Sequence, residues 1–209
     1  TGNATSWTSH SLNLSVGTSH TLRAGDLNGD GGADLVSGYG HSGVTGLRFF
    51  MNNCSGSSCS GPGISSTYGS GLLNLGTFNP HELALEDLDG DNDLDIVMAG
   101  KGAGAIDWIE NDGTGLGVDS FSDSASYHSL ATATSGAGFC PYSLHTGDVN
   151  SDGAPDVVAL SNCNNASYEV YWWENSGTAS SWTQHLIGTV DDGHTVRLAD
   201  LDGDNDLDV

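Results

Sequence analysis

The chain has 209 residues, 36% of them apolar, with 31 glycines and no long apolar run, so it can bury a core but offers no membrane-spanning segment. Four Lys/Arg stand against 27 Asp/Glu, a formal charge of −23. That balance excludes nucleic acid and anionic membrane surfaces as partners, because both need cationic side chains to neutralise phosphate.

In chain order, Ser6–Leu12 (SWTSHSL) is a segment that recurs later in the chain, and Leu22, Leu83, Leu144 and Val196, which share one repeat position, alternate with polar residues, the period-two mark of a strand. A second strand, from His20 to Gly25, runs straight into the acidic loop DLNGDGGAD at Asp26–Asp34. An apolar run follows at Asp34-Leu-Val, then Phe49-Phe-Met-Asn, then a looser copy of the opening strand near Tyr68. The same series returns twice. His81–Glu86 leads into DLDGDNDLD at Asp87–Asp95, followed by Ile96-Val-Met, by Trp108-Ile-Glu-Asn and by a strand near Tyr127. Tyr142–Gly147 leads into DVNSDGAPD at Asp148–Asp156, followed by Val157-Val-Ala-Leu, by Trp172-Trp-Glu-Asn and by Ser181–Ile187 (SWTQHLI). A fourth copy begins at His194, enters DLDGDNDLD at Asp200–Asp208 and stops at Val209. No segment has a helical period. Each repeat is therefore four short strands, a to d, with an acidic loop between a and b. Tandem four-stranded units are the blades of a β-propeller, whose radial packing leaves few exposed sheet edges.

The loops share the form D-x-[DN]-x-D-x-x-x-D, which sets oxygen side chains at positions 1, 3, 5 and 9. Calcium takes six to eight hard oxygen ligands, and alternate residues of a tight turn can direct theirs at one centre. The side-chain ligands expected are Asp26, Asn28, Asp30 and Asp34; Asp87, Asp89, Asp91 and Asp95; Asp148, Asn150, Asp152 and Asp156; and Asp200, Asp202, Asp204 and Asp208. Position 7 is expected to give a backbone carbonyl, from Gly32, Asp93, Ala154 and Asp206, leaving the carboxylates of Asp93 and Asp206 toward solvent. Up to four structural Ca²⁺ ions follow. An EF-hand would need helices and a Glu at position 12, where Ser37, Met98 and Ala159 stand instead. The third loop is dockerin-like, but dockerins pair two close loops across helices, and the nonapeptide pattern of RTX proteins is missing.

Four cysteines in a Gly/Ser-rich chain suggest an oxidising compartment, as do N-x-[ST] sequons at Asn3, Asn13, Asn53 and Asn165, the candidate glycosylation sites. Extracellular calcium levels suit such loops too. Cys140 precedes strand a and Cys163 follows strand b of one hairpin, whereas Cys54 and Cys59 lie in a c–d loop, so the expected pairs are Cys54–Cys59 and Cys140–Cys163. The chain opens at Thr1 without a signal-peptide pattern, as a processed product or a portion of a longer chain would.

His20, His81 and His194 share one repeat position, which reads as packing rather than catalysis. Arg23 and Arg197 share another and are expected to pair with carboxylates. Trp108, Trp172, Trp173 and Trp182 are expected mainly in inter-blade core. No nucleophile elbow, H-E-x-x-H, P-loop or dinucleotide fingerprint is present. Scattered carboxylates leave glycoside chemistry open without supporting it.

With these loops and the W-x-E-N turns at Trp108–Asn111 and Trp172–Asn175, the chain resembles the FG-GAP/VCBS repeat family. The resemblance implies a calcium-binding propeller of the kind found in integrin α-subunit heads, some fungal lectins and many secreted bacterial proteins. It implies an extracellular or cell-surface, non-catalytic adhesion or recognition module with a carbohydrate or protein ligand. Such propellers usually have about seven blades, and this chain holds three repeats and pieces, an incomplete ring. Continuation past Val209, strands supplied by neighbouring subunits, or an open solenoid would each account for it. A structural subunit of a glycosylated filament or surface layer, self-assembling through the incomplete blade, is the alternative. An accessory propeller of a larger secreted enzyme is a further one.

Overall fold

A computed structural model describes residues 18–41, 44–52, 72–76, 78–100, 104–113, 127–132, 139–162 and 168–209. Among these residues there are twelve strands and no helix, hence none long and apolar enough to cross a membrane. The first four are β1 (Thr18–Gly25), β2 (Asp34–His41), β3 (Val44–Phe50) and β4 (Leu72–Asn74). Then come β5 (Pro80–Glu86), β6 (Asp95–Gly100), β7 (Ala105–Ile109) and β8 (Tyr127–Thr132). The last are β9 (Pro141–Gly147), β10 (Asp156–Asn162), β11 (Tyr168–Asn175) and β12 (Trp182–Val190). Each set of four is one antiparallel sheet in simple chain order, so the expected a-b-c-d blade recurs three times. The arrangement is β-propeller-like, and the sheets do not close into a ring. The first d strand, β4, lies beyond the position expected near Tyr68, while Tyr68 and the opening strand at Ser6–Leu12 fall outside the described residues.

Register ties each acidic loop to its sheet. Gly25 pairs with Asp34, Glu86 with Asp95, and Gly147 with Asp156, so the last acidic residue of every loop is also the first residue of strand b. The a–b register also slips by one residue at the same place in each blade, at His20, His81 and Tyr142. A bulge leaves its extra residue unpaired and turns it. The three rings meet across the blades: His20 stacks on His81 at 5.3 Å and 16°, and His81 lies 4.2 Å from Tyr142 at 36°. The packing role of the repeated histidine holds for the first two copies. His194 is exposed, 3.6 Å from Asp192, and stands outside the column.

The core sits between blades rather than within them. Alternation along strands sends one set of side chains to each neighbour. Val36, Leu47 and Phe49 of the first blade meet Leu83, Ile96, Met98 and Ile109 of the second. The second's other face, with Val97, Ala99, Ile106 and Trp108, meets Leu144, Val157, Ala159 and Trp173 of the third. Beyond that, Val158, Leu160 and Val170 are covered by Val196, Leu198 and Leu207 of the fourth repeat. Trp108 and Trp173 are thus inter-blade core, as expected, with Trp172 and Trp182 partly buried against it. Among the described residues the fourth repeat forms no ladder, only a bridge between Ala199 and Asp208.

One strand-a position shows what stacking contributes. Leu22, Leu83, Leu144 and Val196 share this position and are 45%, 0%, 1% and 6% exposed, the last three packed against the preceding blade. Leu83→Ala and Leu144→Ala should each cost about 2–5 kcal/mol in denaturant unfolding, the range for buried leucines. Leu22→Ala should cost under about 1 kcal/mol, in line with half-exposed positions. Equal losses at all three would contradict stacking as the source of the core.

Candidate metal centre

Three of the acidic loops bridge strands a and b of a blade, and the fourth sits inside the Ala199–Asp208 bridge. Their backbones coil the same way. Positions 4 and 6 take left-handed conformations in every copy: Gly29 and Gly31, Gly90 and Asn92, Ser151 and Gly153, Gly203 and Asn205. Glycine and asparagine tolerate φ above zero best, which explains residues that the ligand pattern treats as spacers. The coil turns N–H groups inward. Asp26 accepts from Asp30 N at 3.1 Å and Gly31 N at 2.8 Å, and Asp87 accepts from Gly90 N at 2.9 Å and Asn92 N at 3.0 Å. Asp148 and Asp200 repeat the arrangement with Asp152, Gly153, Gly203 and Asn205.

Within this coil, one oxygen from each of Asp87, Asp89 and Asp91 lies within 4.8 Å of the others, and so do oxygens of Asp200, Asp202 and Asp208. In the first and third loops Asn28 and Asn150 replace a carboxylate. Their side-chain oxygens accept from Asp30 N and Asp152 N, both at 3.0 Å. Asp30, Asp91, Asp152 and Asp204 likewise accept from the N–H of position 7. The donor set is all oxygen and largely carboxylate, which fits a hard cation such as Ca²⁺ and not a soft one. The position-7 residues differ: Gly32 and Ala154 are buried, Asp93 is half-buried, and Asp206 is exposed, accepting from Ser151 Oγ at 3.2 Å and so linking the third loop to the fourth.

Position 9 does work that the ligand pattern does not announce. Asp34, Asp95 and Asp156 are 0% exposed. In each, one oxygen accepts from loop position 2 (Leu27 N at 3.0 Å, Leu88 N at 2.9 Å, Val149 N at 3.0 Å). The other accepts from the Asn that follows strand c (Asn52 N at 2.6 Å, Asn111 N at 2.9 Å, Asn175 N at 2.8 Å). That Asn then reaches the preceding blade. Asn111 Nδ2 donates to Leu27 O at 3.1 Å, and Asn175 Nδ2 donates to Leu88 O at 2.8 Å. Asn175 Oδ1 also caps the following turn, accepting from Gly177 N at 3.0 Å and Ala179 N at 2.9 Å. The sequence signal was the N of W-x-E-N, which reads as turn chemistry alone.

The Glu of the same turn connects to the loops. Glu174 accepts from Asn150 Nδ2 at 3.4 Å and lies 3.0 Å from His185 Nε2, whose ring stacks on Trp172. Glu110 stands 3.0 Å from His128 Nε2, whose ring stacks on Trp108.

Burial pushes the Asp95 carboxyl up to about 7; N–H bonds from Asn111 and Leu88 pull the other way, and Asp89 and Asp91 add to the rise. Asp34 and Asp156 are raised, with burial again the leading cause. Asp89 is raised by burial and then by the like charges of Asp91, Glu110 and Asp87.

Of the remaining expected positions, Cys140 is disulfide-bonded, and no described cysteine is free. Cys54, Cys59, Cys163, Asn3, Asn13, Asn53 and Asn165 lie outside the described residues. Arg23 pairs with Glu82 as expected. Arg197 departs from expectation: among the described residues it has no carboxylate partner, because its guanidinium is turned onto Ser143 Oγ at 3.2 Å and Val196 O at 2.6 Å.

Compared with known families, residues 87–159 and 148–209 each match the model of the FG-GAP-like repeat, together covering more than half of the chain. No curated protein matches it.

Two outcomes follow from the geometry. Asn175→Ala would strip buried carbonyls of Leu88 and Pro155 and two turn amides of their partner; it should lower unfolding free energy by about 2–4 kcal/mol, read in denaturant melts against Ser176→Ala as control. A carboxyl whose folded pKa lies above its unfolded value near about 3.9 favours the protonated fold; its stabilisation is complete below that value and lost as pH rises through about 7. In chelator, the melting temperature should therefore decline between about pH 5 and pH 8. A flat or rising profile would show that Asp95 is ionised throughout.

Proposed function

The chain belongs to the FG-GAP-like repeat family, and from that premise we propose that it is an extracellular, calcium-stabilised β-propeller module whose work is non-catalytic recognition or adhesion. The observation that carries this reading is the recurrence of one oxygen-lined coil at the same corner of every repeat, with carboxylates of Asp87, Asp89 and Asp91 drawn together. Like charges held this close cost folding energy unless a cation offsets them. Ca²⁺ would supply that positive charge, held by side-chain oxygens drawn from positions 1, 3, 5 and 9 of each loop, with position 9 also tying the coil to the sheet. The role assigned to the ion is structural, since it sits where the loop meets its own blade.

Recognition follows from the family and from the surface. With the loops charged and the core committed to stacking, the loop-bearing ends are where a carbohydrate or protein ligand would be met. The disulfide at Cys140 supports an oxidising compartment. Ser161 pairs with Pro141 and its Oγ accepts from Cys140 N at 3.1 Å. The hairpin thus returns close to Cys140 just before residue 163, which supports the Cys140–Cys163 pairing.

Calorimetry in excess EDTA, with Ca²⁺ or Mg²⁺ added back, tests the cation. The melting temperature should fall on chelation and return with Ca²⁺, because an ion bound only by the folded state stabilises it by mass action. An unchanged melt in chelator would overturn the calcium assignment. Glycan-array and cell-surface binding by the Ca²⁺-loaded protein test recognition, and silence on both would overturn it.

A further inference from the structure

The chain has four Lys/Arg residues, and two of them converge on one cavity. Arg23, Arg197 and His145 occupy the same strand-a position in the first, fourth and third repeats, three residues before the first loop Asp. With Glu86 and Thr146 they line a cavity of about 460 Å³ among the a strands. That volume is within the range of about 300–1,000 Å³ usual for small-ligand pockets.

The charges in it are unequal. Arg23 is neutralised by Glu82. Arg197, bonded among the described residues to Ser143 Oγ and Val196 O and to no carboxylate, brings a positive charge unmatched among them. Burial and then the neighbouring Arg197 both pull the Arg23 guanidinium down from its ordinary value. The His145 imidazole is lowered by burial first, then by Arg197 and Arg23, which leaves it neutral at pH 7. In a protein of charge −23, two guanidiniums close enough to disfavour one another mark a place where an anion would be held. Glu86 sits on the same wall, accepting from Thr146 Oγ1 at 3.0 Å. A sulfate has no proton to give Glu86, and a phosphate dianion brings a second negative charge against it. A single carboxylate carried on a polyhydroxylated body suits both sides: its charge goes to Arg197, and its hydroxyls donate to Glu86 and to Nε2 of neutral His145, whose Nδ1 donates to Thr146 O at 3.1 Å.

We propose that this cavity binds an acidic sugar of the uronic-acid class, with Arg197 as the carboxylate anchor and Glu86 as hydroxyl acceptor. The assignment rests on the recognition reading above and names its ligand class.

The test is calorimetric titration of the Ca²⁺-loaded full chain with digalacturonate and, in parallel, with neutral digalactose. The expected result is binding of digalacturonate alone, competed by glucuronate and weakened at least about tenfold in Arg197→Gln, as loss of a charged hydrogen bond predicts. Arg197 stands at the surface, so this variant should keep the wild-type melting temperature; Glu86→Gln, which keeps the shape of the wall, provides the second variant and should weaken binding as well. Binding of both sugars alike, or digalacturonate binding untouched in both variants, would overturn the assignment. So would silence toward both uronates, or capture only of a carboxylate-ended peptide. Glycan-array signal from the same preparation separates the failures: signal without uronate binding sinks the cavity alone, and a silent array sinks the recognition reading with it.

Discussion

A carboxylate with no exposed surface is unstable in a protein interior unless its oxygens meet donors, and Asp34, Asp95 and Asp156 each meet two backbone N–H groups. One donor belongs to the loop and the other follows strand c. The same side chain therefore closes the coil and fixes strand c alongside it. Without that pin, positions 1, 3 and 5 would have no reason to face a common centre, since the a–b hairpin alone permits many loop shapes. Asn111 and Asn175 carry the constraint outward by holding the loop carbonyl of the blade before. The acidic corner and the inter-blade core are thus one mechanical unit.

Much of this was legible in the residues. Period two, four recurring loops and the W-x-E-N turns were enough to place the a-to-d order of β5 to β12 and the inter-blade burial of Trp108 and Trp173, because the signals recurred in the same order. The coil itself was half legible. Alternate acids announced where oxygens would go, but not that Asp95 would be wholly buried with both oxygens occupied, because its donors include Asn111, sixteen residues away. The His20–His81–Tyr142 column was readable as repeated packing, yet its cause, a bulge at the same residue of every strand a, depends on pairing with strand b. Arg197 misled for a related reason. Its repeat-mate Arg23 finds Glu82 in the next blade, whereas among the described residues no acid stands against Arg197, which is turned onto Ser143 Oγ and Val196 O.

The repeats are also not interchangeable. Glu174 joins strand c to loop position 3 through Asn150, and both Glu110 and Glu174 meet a histidine on strand d, whereas the first blade has Met51 at that place. Its loop has three acids where the second has five. Charge density thus differs among corners of one shape, and with it the repulsion each corner holds when folded.

Because each Asn amide takes a carbonyl from the loop of the unit before it, the second repeat carries a donor for the first and an acceptor for the third. Neither bond is complete within one sheet, nor within the span from one acidic loop to the next that each family match covers. A copy placed between two others would therefore meet an acceptor on one side and a donor on the other, and leave neither neighbour unmet. The bond gives the stack a polarity, and a way to lengthen one unit at a time.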